Sequence, residues 1–121
     1  MTVDPQSTLR EALEAAWSIE TSSKWQPDNP ACGQCSVTAL VDQDMRGGEP
    51  ARTRVEGAWH FYNIVEGKRL DSSASQFAVP VAYSDTIASR EEAFCDTLPE
   101  QYRLLWERVQ IGLPGRRRDE P

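Results

Sequence analysis

The stretch Gly57-Ala58-Trp59-His60-Phe61-Tyr62-Asn63-Ile64-Val65-Glu66-Gly67-Lys68-Arg69-Leu70-Asp71 decides the fold. Residues 58–65 are rich in aromatic and β-branched side chains and read as the best strand in the chain. Glu66-Gly67 is a turn signal, and Lys68 to Asp71 returns as a partner strand. So short a connection forces the two strands to run antiparallel. If the loop is these two residues, Val65 faces Lys68, Asn63 faces Leu70 and Tyr62 faces Asp71. His60 and Tyr62 then share a sheet face, and Asp71 lies diagonally across from His60, at roughly 7–8 Å between Cα atoms. A three-residue loop would reverse the parity and turn Asp71 away.

Helical signals flank this hairpin. Thr8 and Glu11 form a capping-box pattern, with Leu9, Ala12, Leu13 and Ala16 at helical spacing and Trp17 beside them, which predicts a helix ending near 19–21. Residues 1–6 read as frayed. Ser22 to Ala31 is polar and holds Pro27 and Pro30, so an extended loop is expected, with Trp25 anchored in the core. A second helix should start around 33–35, carry Val37, Leu40 and Val41 inward, and end before Gly47-Gly48. Residues 51–56 suggest a short strand, 72–77 a short helical turn and 80–83 another strand. Ser89 with Glu92 and Thr97 with Glu100 form two more capping boxes, the latter with Pro99 in the first turn. Tyr102, Leu105, Trp106 and Val109 then make an apolar stripe in a helix stopped by Gly112 and Pro114. The expected class is α+β: N-terminal helices packed on a small antiparallel sheet, followed by a C-terminal helix. Residues 1–113 form a single domain in this reading, and 114–121 a disordered, solvated tail holding Arg116-Arg117-Arg118.

The chain has 121 residues and a formal net charge of −6, which argues against nucleic acid or an anionic membrane surface as partner. No signal peptide or apolar span is evident, so a cytoplasmic setting with reduced thiols is expected. Three cysteines, Cys32, Cys35 and Cys95, are too few for a disulfide scaffold. One histidine and no second Cys pair leave a structural metal unexpected, and no cofactor is indicated.

The chemistry-bearing residues are Cys35, His60 and Asp71. A cysteine at a helix N-terminus is ionised more readily than elsewhere, and a nearby imidazolium lowers its pKa further. His60 would serve as base and Asp71 would hold its tautomer. Asn63 is the alternative orienting residue, although alternation puts it on the opposite face. Gln34 or Asn29 would add an oxyanion donor, Gly33 would let the backbone approach a substrate, and Trp59 would form core first and substrate wall second. Cys32 reads as a loop residue beside the site or a resolving thiol, Cys95 as structural, and Arg52 and Arg54 as a solvated strand face.

Asn29-Pro30-Ala31-Cys32-Gly33-Gln34-Cys35-Ser36-Val37-Thr38-Ala39, the segment 57–63, and Asp71 with Gln76-Phe77 together resemble the YunG-like family of bacterial proteins over roughly residues 10 to 107. That resemblance implies no particular activity. A more distant likeness is to the papain-like and transglutaminase-like cysteine enzymes, where a cysteine opens a helix and a histidine and an acidic or amide residue follow on strands. Cys32-Gly33-Gln34-Cys35 resembles the Cys-Gly-x-Cys around a papain-type nucleophile, which implies that Cys35 takes that role. Ser36 replaces the usual aromatic residue, and His60 follows Cys35 by only 25 residues, which suits a minimal transglutaminase-like core.

Three functions compete. The first is a thiol-dependent hydrolase or acyltransferase acting on a peptide or small amide, isopeptide or thioester. The second is a non-catalytic binding or accessory module. The third is a thiol oxidoreductase using Cys32 and Cys35, which would need an apolar strand running into the motif where the chain has a polar loop.

Overall fold

A computed structural model describes residues 5–113; residues 1–4 and the expected tail at 114–121 lie outside the described residues. The elements are α1 (Pro5–Ala16), α2 (Cys35–Arg46), β1 (Glu49–Val55), β2 (Ala58–Val65), β3 (Lys68–Leu70), a 3₁₀ turn (Ala74–Gln76), β4 (Thr86–Ile87), α3 (Arg90–Phe94) and α4 (Pro99–Gly112). The class is α+β, with one antiparallel sheet in the order β3-β2-β1-β4.

α2 is the centre of the molecule. Residues Ser36 to Asp42 are buried on every side, as expected of a helix enclosed by other elements. Val37 and Val41 pack with Leu9, Leu13, Trp17, Leu105 and Val109 from α1, the residues just after it, and α4. Ala39 and Leu40 pack with Phe61 of β2, Ala88 and Ala93 of α3. Trp17 Nε1 donates to Thr38 Oγ1 at 2.9 Å, so this hydroxyl of α2 is paired inside the core.

Both hairpins close with two-residue turns. Glu66 and Gly67 have φ of 52° and 76°, the left-handed pair that matches the natural twist of the strands. The register that follows is Val65↔Lys68, Ile64↔Arg69 and Asn63↔Leu70. β3 ends at Leu70, so the backbone groups of Phe61 that face the β3 side have no strand opposite them.

Several expectations need correction. α1 starts at Pro5, so Thr8 lies inside it and does not cap it, and it ends at Ala16 rather than near 19–21. The loop before α2 is not extended. It winds through successive turns, with Asn29 N donating to Gln26 O at 3.1 Å, Cys32 N to Asn29 O at 2.9 Å and Gln34 N to Ala31 O at 3.0 Å. The strand expected at 80–83 is absent, and the last strand is Thr86–Ile87. Side chains hold residues 82–84 instead: Thr53 Oγ1 donates to Ala82 O at 3.1 Å and accepts from Ser84 N at 3.0 Å. α4 is capped by Gln101, whose Oε1 accepts from Leu98 N at 2.8 Å, not by a Thr97–Glu100 box. Trp106 is 39% exposed, whereas Leu105 and Val109 are buried.

Candidate functional site

Cys35 is the first residue of α2, and Gly33 sets up the entry to it. At φ +75° and with its own chain 2.4 Å from where a Cβ would stand (Lys24 Cβ), position 33 accepts only glycine without distortion. An added Cβ would run into Ser22 and Lys24, and the glycine itself lines both clefts beside Cys35. Gly33→Ala should lower the melting temperature by several degrees, an effect of about 1–2 kcal/mol from left-handed strain and the clash. Thermal unfolding checks this, and an unchanged midpoint would refute the close approach.

His60 and Asp71 meet. His60 Nε2 lies 2.6 Å from Asp71 Oδ2, with side chains only 2% and 6% exposed. The same oxygen accepts from Tyr83 Oη at 2.7 Å. Phe77 sets its ring edge-on to the imidazole, with centroids 4.8 Å apart and planes at 86°. Burial by itself disfavours the charged imidazole, but the Asp71 carboxylate and then the Cys35 sulfur outweigh it and raise the His60 pKa to about 9. Cys35 responds in the opposite direction. Burial opposes its ionisation, yet the His60 imidazole, a backbone hydrogen bond from Phe61 and the Ser36 hydroxyl hold the thiol below its ordinary value. Phe61 can supply that N–H because β3 has already ended. His60 Nδ1 is buried and makes no hydrogen bond, and the imidazole acts on Cys35 through its charge and proximity.

Asp42, which sequence reasoning missed, stands behind this pair. It is 1% exposed, accepts from Ser72 Oγ at 2.7 Å through Oδ2, and has a buried Oδ1 with no partner. Burial pushes its pKa up to about 7, with Asp71 adding to the rise. A raised carboxyl pKa adds stability while the group is protonated, and that stability is lost as pH climbs from about 4 through 7. Asp42→Asn should therefore stabilise the fold at pH 8 by about 1–3 kcal/mol and flatten that slope. Denaturant titrations at pH 5 and pH 8 test it; a variant less stable at pH 8 would show that Asp42 is held ionised. Asp42 falls seven residues after Cys35, two turns along one helix face, and that spacing was its sequence signal.

The other candidates separate. Gln34 is fully buried and occupied: its Oε1 accepts from Thr21 Oγ1 at 2.8 Å and its Nε2 donates to Ser18 O at 3.3 Å. Asn29 Nδ2 donates to Gln76 O at 3.1 Å, tying the cysteine loop to the 3₁₀ turn. Neither amide is free as an oxyanion donor, a correction that follows from long-range partners. Asn63 is also occupied, its Nδ2 donating to Ala39 O of α2 at 2.9 Å. Trp59 does line the space beside Cys35. Arg54 is exposed and Arg52 partly so, as a solvated strand face would have them, but their guanidiniums also lie 4.4 and 4.1 Å from the Trp59 ring centre, and Arg52 pairs with Glu92 at 3.1 Å. Cys95 is exposed rather than buried.

Two clefts meet at Cys35. One, of about 180 Å³, is walled mainly by Val55, Ala58, Trp59 and Phe77, with Lys24, Gln76, His60 and Cys32 also lining it. The other, of about 370 Å³, is bordered by Ser22, Ser23, Lys24, Ser36, Asp96 and Gln101. Among the described residues no three His, Cys, Asp or Glu side chains converge as a metal-binding group. No helix among them is long and apolar enough to cross a membrane.

No solved structure matches the chain. It is 50% identical over 95 residues to the uncharacterized protein YunG of Bacillus subtilis (strain 168), covering 78% of this chain and 83% of that protein. Residues 5–113 match the family described as YunG protein, and the chain belongs to that family.

Proposed function

We propose that the protein is a thiol-dependent hydrolase or acyltransferase acting on a peptide or small amide, isopeptide or thioester. The observation that carries this reading is the division of labour on one imidazole. Asp71 takes Nε2 at 2.6 Å, which leaves Nδ1 toward Cys35 in a cleft. Cys35 is the nucleophile, His60 the base and acid, and Asp71 the orienting carboxylate, steadied by Tyr83. The Cys35 thiolate attacks the carbonyl carbon, and the oxyanion forms near the first-turn N–H groups of α2, which have no acceptor within the helix. The bond to the leaving group breaks as His60 gives that group its proton. Water, or an amine in acyl transfer, then attacks the thioester, His60 takes the proton from it, and the thiolate is restored. Order of elements and partners supports a likeness to a minimal papain-like or transglutaminase-like core. A reducing compartment, the cytoplasm, suits three free cysteines.

Alkylation by iodoacetamide tests the reading. Access alone would favour the exposed Cys95 over the half-buried Cys35. Cys35 should nevertheless react first, and should still react at pH 6, where ordinary thiols are slow. Cys95 reacting faster across pH 6–8 would leave a non-catalytic module as the better reading. Cys32→Ser should keep full Cys35 reactivity; its loss would favour a dithiol mechanism.

A further inference from the structure

The two clefts flanking Cys35 differ in chemistry and in their access to His60. His60 opens onto the smaller, apolar cleft and not onto the larger, polar one. A general acid must lie within hydrogen-bond reach of the atom it protonates. The departing group therefore has to sit on the His60 side, and the acyl group that stays on sulfur has to sit on the other. We infer that the substrate joins a polar acyl group, held in the cleft that Ser22, Ser23 and Asp96 line, to a small apolar or aromatic leaving group held in the cleft that Val55 and Phe77 line, with Lys24, Ala58 and Trp59 common to both.

This inference rests on the thiol acyl-transfer reading and adds a direction to it. At about 180 Å³ the smaller cleft suits a single ring or a short alkyl chain, because Val55, Ala58, Trp59 and Phe77 outweigh Lys24 and Gln76 in its walls. At about 370 Å³ the larger cleft holds an amino-acid-sized acyl group, and an alkyl chain there would leave the Asp96 carboxylate and the Ser23 hydroxyl without a partner. Trp59 borders both clefts and so divides them, and Arg52 and Arg54 over its ring hold that partition in place.

Thioester probes with leaving thiols of matched basicity test both halves. In each, the Cys35 sulfur forms a bond to the carbonyl carbon, the original C–S bond breaks, and the departing thiol takes a proton from His60. Intact-protein mass spectrometry reads the acyl adduct. The N-acetylglutaminyl S-benzyl thioester should acylate Cys35 roughly tenfold or more faster than the hexanoyl S-benzyl thioester. With the N-acetylglutaminyl group kept, S-benzyl should react roughly fivefold or more faster than S-(2,3-dihydroxypropyl). Asp96→Leu with Ser23→Ala should erase the acyl preference, and Val55→Ser the leaving-group preference, each leaving the other intact. Equal or inverted preferences with Cys35 still acylated would overturn this assignment and leave the acyl-transfer reading standing. Acylation of Cys35 by none of the probes would overturn both.

Discussion

Changing His60 to alanine should cut Cys35 alkylation at pH 6.5 by roughly two orders of magnitude and abolish any amide turnover. Burial is the largest influence on the Cys35 thiol and acts to raise its pKa; the imidazole is the first of the groups that reverse it. Remove the ring and burial is left to dominate, and each unit of upward shift costs about tenfold in thiolate. Turnover loses the general base as well, worth about 10² to 10⁴ by itself. The measurement is Cys35-specific modification followed by peptide mass spectrometry, with Cys95 as an internal control for access. The variant should fold with reduced stability: Asp71 loses its cation but keeps the hydrogen bond from the Tyr83 hydroxyl. Unchanged Cys35 reactivity in a folded variant would end the catalytic proposal.

The second large effect is on stability. Asp71→Ala should cost about 3 kcal/mol at pH 6, because it strands a buried imidazole that the carboxylate holds at 2.6 Å. Tyr83 loses its acceptor in the same change. The pH dependence gives an independent readout. A histidine with a folded pKa of about 9, above its unfolded value, contributes stability that is complete below about pH 6.5 and disappears as pH rises through 9. Cys35 acts in reverse: its lowered folded pKa gives stability above the unfolded thiol value, lost as pH falls through the folded one. A Cys35→Ala background removes this opposing slope. In that background the parent should lose stability between pH 6.5 and 9, and adding Asp71→Ala should remove the decline. Parallel pH curves would mean that Asp71 does not hold the imidazole charged.

What could be read from the residues was whatever depends on local geometry. The parity of β2 against β3 follows from a two-residue turn, which places Asn63 opposite Leu70 and leaves Asp71 within reach of His60. The apolar spacing of Val37, Leu40 and Val41 located α2, and Gly47 located its end. The strand expected at 80–83 failed because its residues answer to partners far along the chain: Thr53 binds the backbone there, and Tyr83 turns to Asp71. Gln34 failed for a similar reason. An amide beside a cysteine looks available until Thr21 and Ser18 are seen to occupy it. Trp106 lies one position past Leu105, at the edge of the buried stripe of α4 and 39% exposed, so helical spacing alone overstated its burial.

The shortness of β3 has a consequence for how this protein can change. A sheet gains hydrogen-bonded rungs when its outer strand lengthens, and selection for robustness favours that. Here one more rung would claim the Phe61 amide that steadies the sulfur anion. Under the proposed thiol chemistry a longer hairpin would be sturdier and its sulfur harder to ionise, so the two demands compete for a single backbone donor.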